Sequence, residues 1–398
     1  MLMRKYKILL GLCACLWAVQ GFPLRAASAD SLRFSLLTCS PGAEIYALFG
    51  HTALRYENLR TGTDVVFNYG MFSFNAPHFI WRFVKGDTHY MLGVNSFDDF
   101  QAEYMERGSV VYGQELLLSP SEKRKLAGFL SWNSRPENRT YLYNFFYDNC
   151  TTRARDCIEG NVQGTVSYRE AGKALSFRDI VHEHTVGHEW ACFGIDFCLG
   201  SPADEPIPPR LQMFAPFHLM HAVDSAYVTD ASTGEERHLA RPSAPVVRPL
   251  VRTDHAEHYW LTPLQAAWML FFIVALISVH GFLRDKCYAG LDALLFGAAG
   301  LAGCVIAFLA FFSIHPAVSP NYLLCVFHPL HLLFLPVLLC RPARRMRDGY
   351  HRANFLVLTL FIVLFGCFPQ EFNLAVLPLA ASLWFRSASH VALMYKER

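Results

Sequence analysis

Five long apolar segments fill the last third of this 398-residue chain. They cover residues 261–283, 288–312, 322–340, 353–368 and 373–390. A run of about 20 apolar residues has the length of a helix that spans a bilayer, and the first three segments reach it. The last two segments are shorter. We therefore predict an α-helical membrane bundle of about five helices over residues 256–398.

The charges between these segments predict their orientation. The loop 341–352 contains five arginines, whereas the loops 313–321 and 369–373 contain no lysine or arginine. Because basic loops stay on the cytoplasmic side, the residues before the first segment are expected outside. The sequence thus predicts a multi-pass protein of the inner (cytoplasmic) membrane with its N-terminal domain in the periplasm.

The start of the chain agrees with this orientation. A basic start precedes the apolar stretch "ILLGLCACLWAVQGF", and Ala27-Ser28-Ala29 offers a small-residue cleavage site. We predict a signal peptide over residues 1–29, with an uncleaved anchor as the alternative. Residues 30–255 then form an exported domain that mixes helical and strand patterns. The net charge is only +2, which gives no reason to expect a nucleic-acid partner.

The stretch "FFYDNCTTRARDC" places a cysteine, Cys150, at a predicted helix start. Asp148 or Asn149 is a suitable N-cap residue for such a helix. The partial positive charge of a first helical turn favours a thiolate there. Unpaired N–H groups around Asn149 and Thr151 could also bind an oxyanion or a substrate oxygen. Taken alone, the stretch fits a small buried cysteine in an ordinary helix better than a reactive one.

A reactive cysteine needs a base, and the stretch "LFGHTALRYEN" offers a histidine in a defined position. Phe49-Gly50 interrupts the chain before His51, "TALRYE" predicts a strand, and "VVFNYG" predicts its hairpin partner. Asn68 on the second strand could fix the tautomer of the imidazole. Each residue alone also fits a structural role, His51 as a half-buried histidine and Asn68 as a surface or capping residue.

Together these pieces are typical of a permuted NlpC/P60 domain, a papain-like thiol fold in which the histidine precedes the cysteine. The chain further resembles the Lnb-type lipoprotein N-acyltransferases of bacteria through "FGHTALR", "NYGMFSFN", "YDNCTTRARD", "GIDFCLGSPADEPI" and "SPNYLLCVFHPLHLL". The resemblance runs from about Ser35 to the end of the chain. It implies an α+β class, with a permuted NlpC/P60 (papain-like) exported domain followed by membrane helices.

The resemblance also implies a reaction. Cys150 would be the nucleophile and His51 the base, and an acyl chain would pass from a phospholipid donor through a Cys150 thioester to the N-terminal amine of a diacylated lipoprotein. No cofactor and no metal are expected. Two other functions stay open, a membrane-tethered NlpC/P60-like peptidoglycan peptidase and a non-enzymatic membrane receptor or transporter. Five membrane segments argue against the peptidase, which would need only one anchor.

Several other polar residues are candidates for substrate or metal binding. Arg153 could hold a phosphate, and the alternative is a solvated position or an ion pair with Asp156 or Glu159. The stretch "HEHTVGHE" places His184 and His188 four residues apart, a spacing that can put two metal ligands on one helix face. It lacks the HExxH pattern, so we predict no metal centre.

Three polar residues belong to the third apolar segment or to its start. Asn321, His328 and His331 are costly in lipid if they lie at depth. We expect the two histidines to face protein or a cavity, and we assign all three to substrate binding.

Overall fold

The computed structural model describes residues 31–396 apart from 74, 76, 169–173, 250, 252–258 and 340–342. The predicted signal peptide lies outside the described residues. The strands are β1 (Leu32–Cys39), β2 (His51–Asn58), β3 (Thr63–Met71), β4 (His89–Ser96), β5 (Val111–Glu115), β6 (Thr140–Leu142), β7 (Thr165–Ser167), β8 (Tyr227–Thr229), β9 (Glu236–His238) and β10 (Ala244–Val247).

The helices fall into two groups, eight in the N-terminal half and six in the C-terminal half of the described chain. The first group is α1 (Phe79–Lys85), α2 (Phe97–Glu106), α3 (Pro120–Asn133), α4 (Cys150–Asn161), α5 (Phe177–His184), α6 (Glu189–Cys198), α7 (Pro209–Gln212) and α8 (Pro216–Asp224). The second group is α9 (Pro263–Leu283), α10 (Ala289–Phe312), α11 (Leu330–Leu333), α12 (Leu335–Leu339), α13 (Arg344–Val363) and α14 (Val376–Lys396).

A seven-stranded antiparallel sheet forms the centre of the N-terminal half, in the order β10-β5-β1-β2-β3-β4-β6. Successive side chains of a strand point to opposite faces, so β1 contributes to two cores. Phe34 and Leu36 pack in the core that α3 and α4 cover, whereas Leu37 and Cys39 pack in the core that α2 covers. Helices therefore cover both faces of the sheet, and the predicted mixture of helices and strands is confirmed.

The C-terminal half is helical, as predicted. Among the described residues, α9 and α10 are long and apolar enough to cross a membrane. The third apolar segment is not the single helix that we predicted, because it breaks into a 3₁₀ turn, Tyr322–Cys325, followed by α11 and α12. Pro329 and Pro336 explain the breaks, since proline lacks the N–H that continues a helix and its ring crowds the preceding turn.

Helix α6 joins the two halves. Phe193 and Phe197 of this helix pack against the hydrophobic core of the membrane half. Just after α6, the Gly200 N–H donates to the carbonyl of Ala317 at 2.8 Å. The predicted division near residue 255 falls among residues outside the description and stays a prediction.

Candidate active site

Strand β2 begins at His51, as the sequence predicted, and Gly50 makes this start possible. Gly50 has φ of +77°, and a Cβ at this position would lie 2.3 Å from the carbonyl oxygen of Cys39. Only glycine fits there, because the left-handed backbone and the close approach of strand β1 both exclude a side chain. The tight turn therefore sets His51 directly opposite Cys39 at the end of the β1–β2 pair.

Helix α4 begins at Cys150, also as predicted, because Asn149 caps it. The Asn149 side-chain oxygen accepts hydrogen bonds from the N–H groups of Thr151 at 2.8 Å and Thr152 at 2.9 Å. The Thr152 hydroxyl in turn accepts from the Asn149 N–H at 2.8 Å, which completes a capping box. The cap thus engages the N–H groups of Asn149, Thr151 and Thr152, so the N–H groups that we expected to bind an oxyanion at Asn149 and Thr151 are already bonded.

Asn149 is committed to this cap. Its side-chain amide donates to the carbonyls of Phe145 at 2.8 Å and Phe214 at 2.9 Å, and only 4% of the residue is exposed. The Thr151 hydroxyl lies 3.1 Å from that of Thr52 and 3.8 Å from the Cys150 sulfur. Asn149 and Thr151 therefore surround the cysteine, but the bonds of Asn149 point to support of the helix start rather than to substrate contact.

Cys150 and His51 lie close enough for each to change the pKa of the other. Burial alone would raise the pKa of the Cys150 thiol, but the positive charge of His51 and hydrogen bonds from His51 and the Thr52 backbone lower it to about 7. Burial likewise disfavours a charged His51, yet the Cys150 thiolate and the bond to Asn68 raise the pKa of the imidazole. Near neutral pH the thiolate, which is the reactive form of a cysteine, is therefore well populated beside His51.

Asn68 lies where a tautomer-fixing residue must lie. Its Oδ1 is 3.2 Å from His51 Nε2, and its Nδ2 donates to Asn95 Oδ1 at 3.3 Å. Since the bond to Asn95 uses the amide nitrogen, the amide oxygen faces the histidine and accepts from Nε2–H. The other ring nitrogen, Nδ1, is then the one available to the thiol. No local pattern in the sequence pointed to Asn95, which reaches the site through the pairing of β3 with β4.

A second residue that sequence reasoning missed is Tyr141 on β6. Its hydroxyl is buried and has no hydrogen-bond partner among the described residues. A Cβ on Gly70, which has φ of +89°, would lie 3.5 Å from the Cβ of Cys150 and 4.0 Å from the Tyr141 hydroxyl. A buried donor without a partner is costly and calls for a reason. The Tyr141 hydroxyl lies on the other side of Gly70 from Cys150, the candidate nucleophile.

Arg153 has a different partner from those that we predicted. Its guanidinium donates to both carboxylate oxygens of Asp148, at 2.6 and 2.8 Å, and stacks 3.6 Å above the ring of Tyr141. Asp156 instead binds Arg155 and Arg210, and Glu159 binds Arg210. A phosphate at Arg153 would have to compete with a bidentate carboxylate.

The three membrane-half candidates make internal contacts. Asn321 donates to the carbonyls of Phe197 at 3.1 Å and Leu199 at 3.3 Å, and thus ties the third segment to α6. His331 is fully buried between the hydroxyl of Tyr350 and the carbonyl of Val326. None of the hydrogen bonds found in the described chain for Asn321 or His331 reaches the cysteine–histidine pair.

His328, like His331, packs against other protein groups. Its ring stacks on that of His331 with 3.7 Å between the ring centres. The two histidines therefore face protein, as we expected of polar groups at this depth. None of the contacts described for His328 and His331 brings either histidine to Cys150.

The histidine-rich stretch does not bring together the pair that we considered. His184 Nδ1 bonds the carbonyl of Ile180, and its ring stacks on Phe49. In the described residues a different set, His182, Cys192 and Asp196, places three possible metal ligands within 4.8 Å of one another.

That set is already balanced in charge. Arg178 pairs with Asp196 at 2.8 Å and with Asp204 at 2.7 Å; Arg178 and Asp196 are buried, and Asp204 is mostly buried. The hydrogen bond to Asp196 raises the pKa of His182 to about 10, so this histidine carries a proton at neutral pH. Two cations and two carboxylates thus neutralise one another.

Two family models match this chain. Residues 19–183 match the Lnb N-terminal periplasmic domain, and residues 255–398 match the Lnb transmembrane domain. No curated protein and no solved structure matches it. The first matched range contains the whole arrangement of His51, Asn68, Tyr141 and Cys150.

Proposed function

The chain belongs to the Lnb family and is a membrane-associated, lipoprotein-processing protein with a periplasmic domain, and from this premise we propose that it is a lipoprotein N-acyltransferase. The donor is a phospholipid of the inner membrane and the acceptor is the N-terminal amine of a diacylated lipoprotein. One observation carries the proposal, namely a thiol with a pKa lowered to about 7 beside a histidine whose tautomer Asn68 fixes.

The first half-reaction forms a thioester. The Cys150 thiolate attacks the carbonyl carbon of a phospholipid acyl ester, and negative charge develops on the carbonyl oxygen. We assign the stabilisation of that charge to the Tyr141 hydroxyl, which is buried near Cys150, and to the N–H of Cys150 at the start of α4. The C–O bond to the glycerol then breaks, His51 gives its proton to the leaving alkoxide, and a lysophospholipid departs.

The second half-reaction forms the amide. The neutral α-amine of the lipoprotein attacks the thioester carbon, and His51 accepts the proton that the nitrogen loses. The C–S bond breaks and returns the Cys150 thiolate. An amine attacks a thioester readily, so the site must mainly exclude water, which would release a free fatty acid. Tyr69, Tyr90 and Tyr143 supply aromatic walls in the same core as Cys150.

A direct test uses the full-length protein in phospholipid vesicles with a synthetic diacylated lipopeptide. Wild type should add one acyl chain to the lipopeptide amine, and without acceptor the protein should gain one acyl mass at Cys150. Cys150→Ala and His51→Ala should abolish transfer with a normal thermal melt. Cys367→Ser is the matched control, because Cys367 is an exposed cysteine of the membrane half.

The outcomes also separate the other functions. Substantial transfer by Cys150→Ala would end the thioester mechanism. A peptidoglycan peptidase would cleave peptide substrates without any phospholipid, and a receptor or transporter would keep its function in Cys150→Ser.

A further inference from the structure

A patch of exposed apolar side chains lies on one side of the N-terminal half. Six residues from α1, from the 3₁₀ turn Ile45–Ala47 and from the end of β3 form it, each between 44% and 79% exposed, and we call them the apolar patch: Ile45, Tyr46, Met71, Ile80, Trp81 and Phe83. The three elements meet at Phe72, the residue after Met71, whose ring lies 5.9 Å from that of Tyr46 and 5.7 Å from that of Phe79 on α1. Exposed apolar side chains that cluster mark an interaction site, unlike single exposed residues.

The patch is fixed to the outer end of a membrane helix. The Ile314 N–H donates to the Lys85 carbonyl at 2.9 Å, and His315 Nε2 lies 2.6 Å from the carbonyl of Phe83. The ring of Trp81 lies 5.0 Å from that of Phe308 on α10. Because α10 ends at Phe312 before a loop without lysine or arginine, this contact sets α1 at the height where α10 leaves the bilayer.

The same patch continues inward to the candidate nucleophile. Gly70 lies against Cys150, and the next residue, Met71, belongs to the patch. Phe72 follows, and its ring stacks on Phe79 of α1 at 5.7 Å and on Tyr90 at 4.9 Å. We call Phe79, Phe72, Tyr90 and Tyr143 the aromatic row, since each ring contacts the next.

We propose that the apolar patch inserts into the periplasmic leaflet of the bilayer and that a lipid acyl chain reaches Cys150 along the aromatic row. Continuity with a membrane helix favours lipid over another protein as the occupant, because α10 already carries Phe311 and Phe312, 70% and 69% exposed, beside the patch. Tryptophan at such a position is typical of the interface between lipid and water. The acyl path rests on the proposed function, whereas the insertion does not.

The insertion is tested by fluorescence of the full-length protein in vesicles that contain nitroxide-labelled phospholipid. The signal of Trp81 is the fluorescence of wild type minus that of Trp81→Phe. Trp132, which is 49% exposed on α3, serves as the comparison, and its signal is wild type minus Trp132→Phe. We expect the lipid-borne nitroxide to quench Trp81 and the aqueous quencher acrylamide to quench Trp132. Quenching of Trp81 by acrylamide alone would overturn the insertion and point to a protein partner or a free surface.

The acyl path is tested by placing a carboxylate in the apolar patch and measuring the acylation of Cys150. Ile80→Glu should lower acylation of Cys150 from vesicle phospholipid by about tenfold or more, because a carboxylate resists entry into lipid. Acylation from a water-soluble short-chain ester should be unchanged, since Ile80 touches neither Cys150 nor His51. Leu59→Glu, at an exposed apolar residue of the β2–β3 turn, should change neither rate.

The outcomes distinguish the two proposals. Equal loss with both donors in Ile80→Glu, or no loss with either, would refute the acyl path. If wild type itself is not acylated by either donor, the thioester function fails, and the quenching experiment still decides the insertion.

Discussion

The acidity of Cys150 should depend on His51. In the wild type the thiol pKa is about 7, against an ordinary value of 9.0. His51→Ala removes the neighbouring cation and its hydrogen bond while burial remains, so we expect the pKa of Cys150 to return to 9 or above. The thiolate fraction at pH 7 then falls from about one half to about 1%, a loss of roughly 50-fold.

In His51→Ala the alkylation rate of Cys150 should fall by less than the thiolate fraction does. A less acidic thiol gives a more nucleophilic thiolate, and a shift of two pKa units recovers roughly tenfold of the loss. The alkylation rate at pH 7 should therefore drop about fivefold, while the midpoint of its pH profile moves up by about two units. The midpoint is the better measure, because it does not depend on the reactivity of the thiolate.

The assay follows iodoacetamide labelling of Cys150 in the full-length protein between pH 5 and 10, read by mass spectrometry of the peptide that contains it. The labelling rate of wild type should rise as pH passes about 7. His221→Ala, a histidine exposed on α8, is the control and should keep the wild-type profile. A midpoint near 7 in His51→Ala would refute the reasoning and assign the low pKa to the helix start instead.

Three further outcomes are expected. Asn68→Ala should lower the rate of acyl transfer by about 10- to 100-fold without changing the melt, as is usual for a residue that orients another, and an unchanged rate would make Asn68 structural. Tyr141→Phe should lower thioester formation by about 100-fold if its hydroxyl stabilises the oxyanion, and it should leave Cys150 alkylation unchanged. Reporter fusions after Arg347 should be cytoplasmic and fusions after Pro316 periplasmic, and the opposite result at either point would break the predicted topology.

The local parts of the candidate site could be predicted from the sequence. The break at Gly50 and the N-cap at Asn149 are signals carried by neighbouring residues, so the strand start at His51 and the helix start at Cys150 were readable. Asn95 and Tyr141 were not, because β4 and β6 reach the site through strand order. Sheet pairing joins residues far apart in sequence, and no local pattern specifies which strands become neighbours.

The membrane half shows a different limit. Hydropathy identified the apolar segment 322–340 but gave no weight to Pro329 and Pro336, which divide it into short pieces. Hydropathy also does not separate polar groups that bind a substrate from those that hold segments together. The Asn321 side chain, with bonds to two carbonyls near the end of α6, belongs to the second kind.

The membrane contacts matter because of the chemistry proposed for Cys150. Each methylene of an acyl chain is held in the bilayer by about 0.8 kcal/mol, so a chain of about 16 carbons would cost roughly 12 kcal/mol to draw into water. A barrier of that size would slow any thiol by about nine orders of magnitude, far more than the His51 charge returns. The catalytic pair alone therefore cannot account for transfer from a bilayer. The contacts of α1 with α10 and of α6 with the third segment join the two halves, and under the proposed membrane insertion they would hold the site at the bilayer surface, where a chain can reach Cys150 without crossing water.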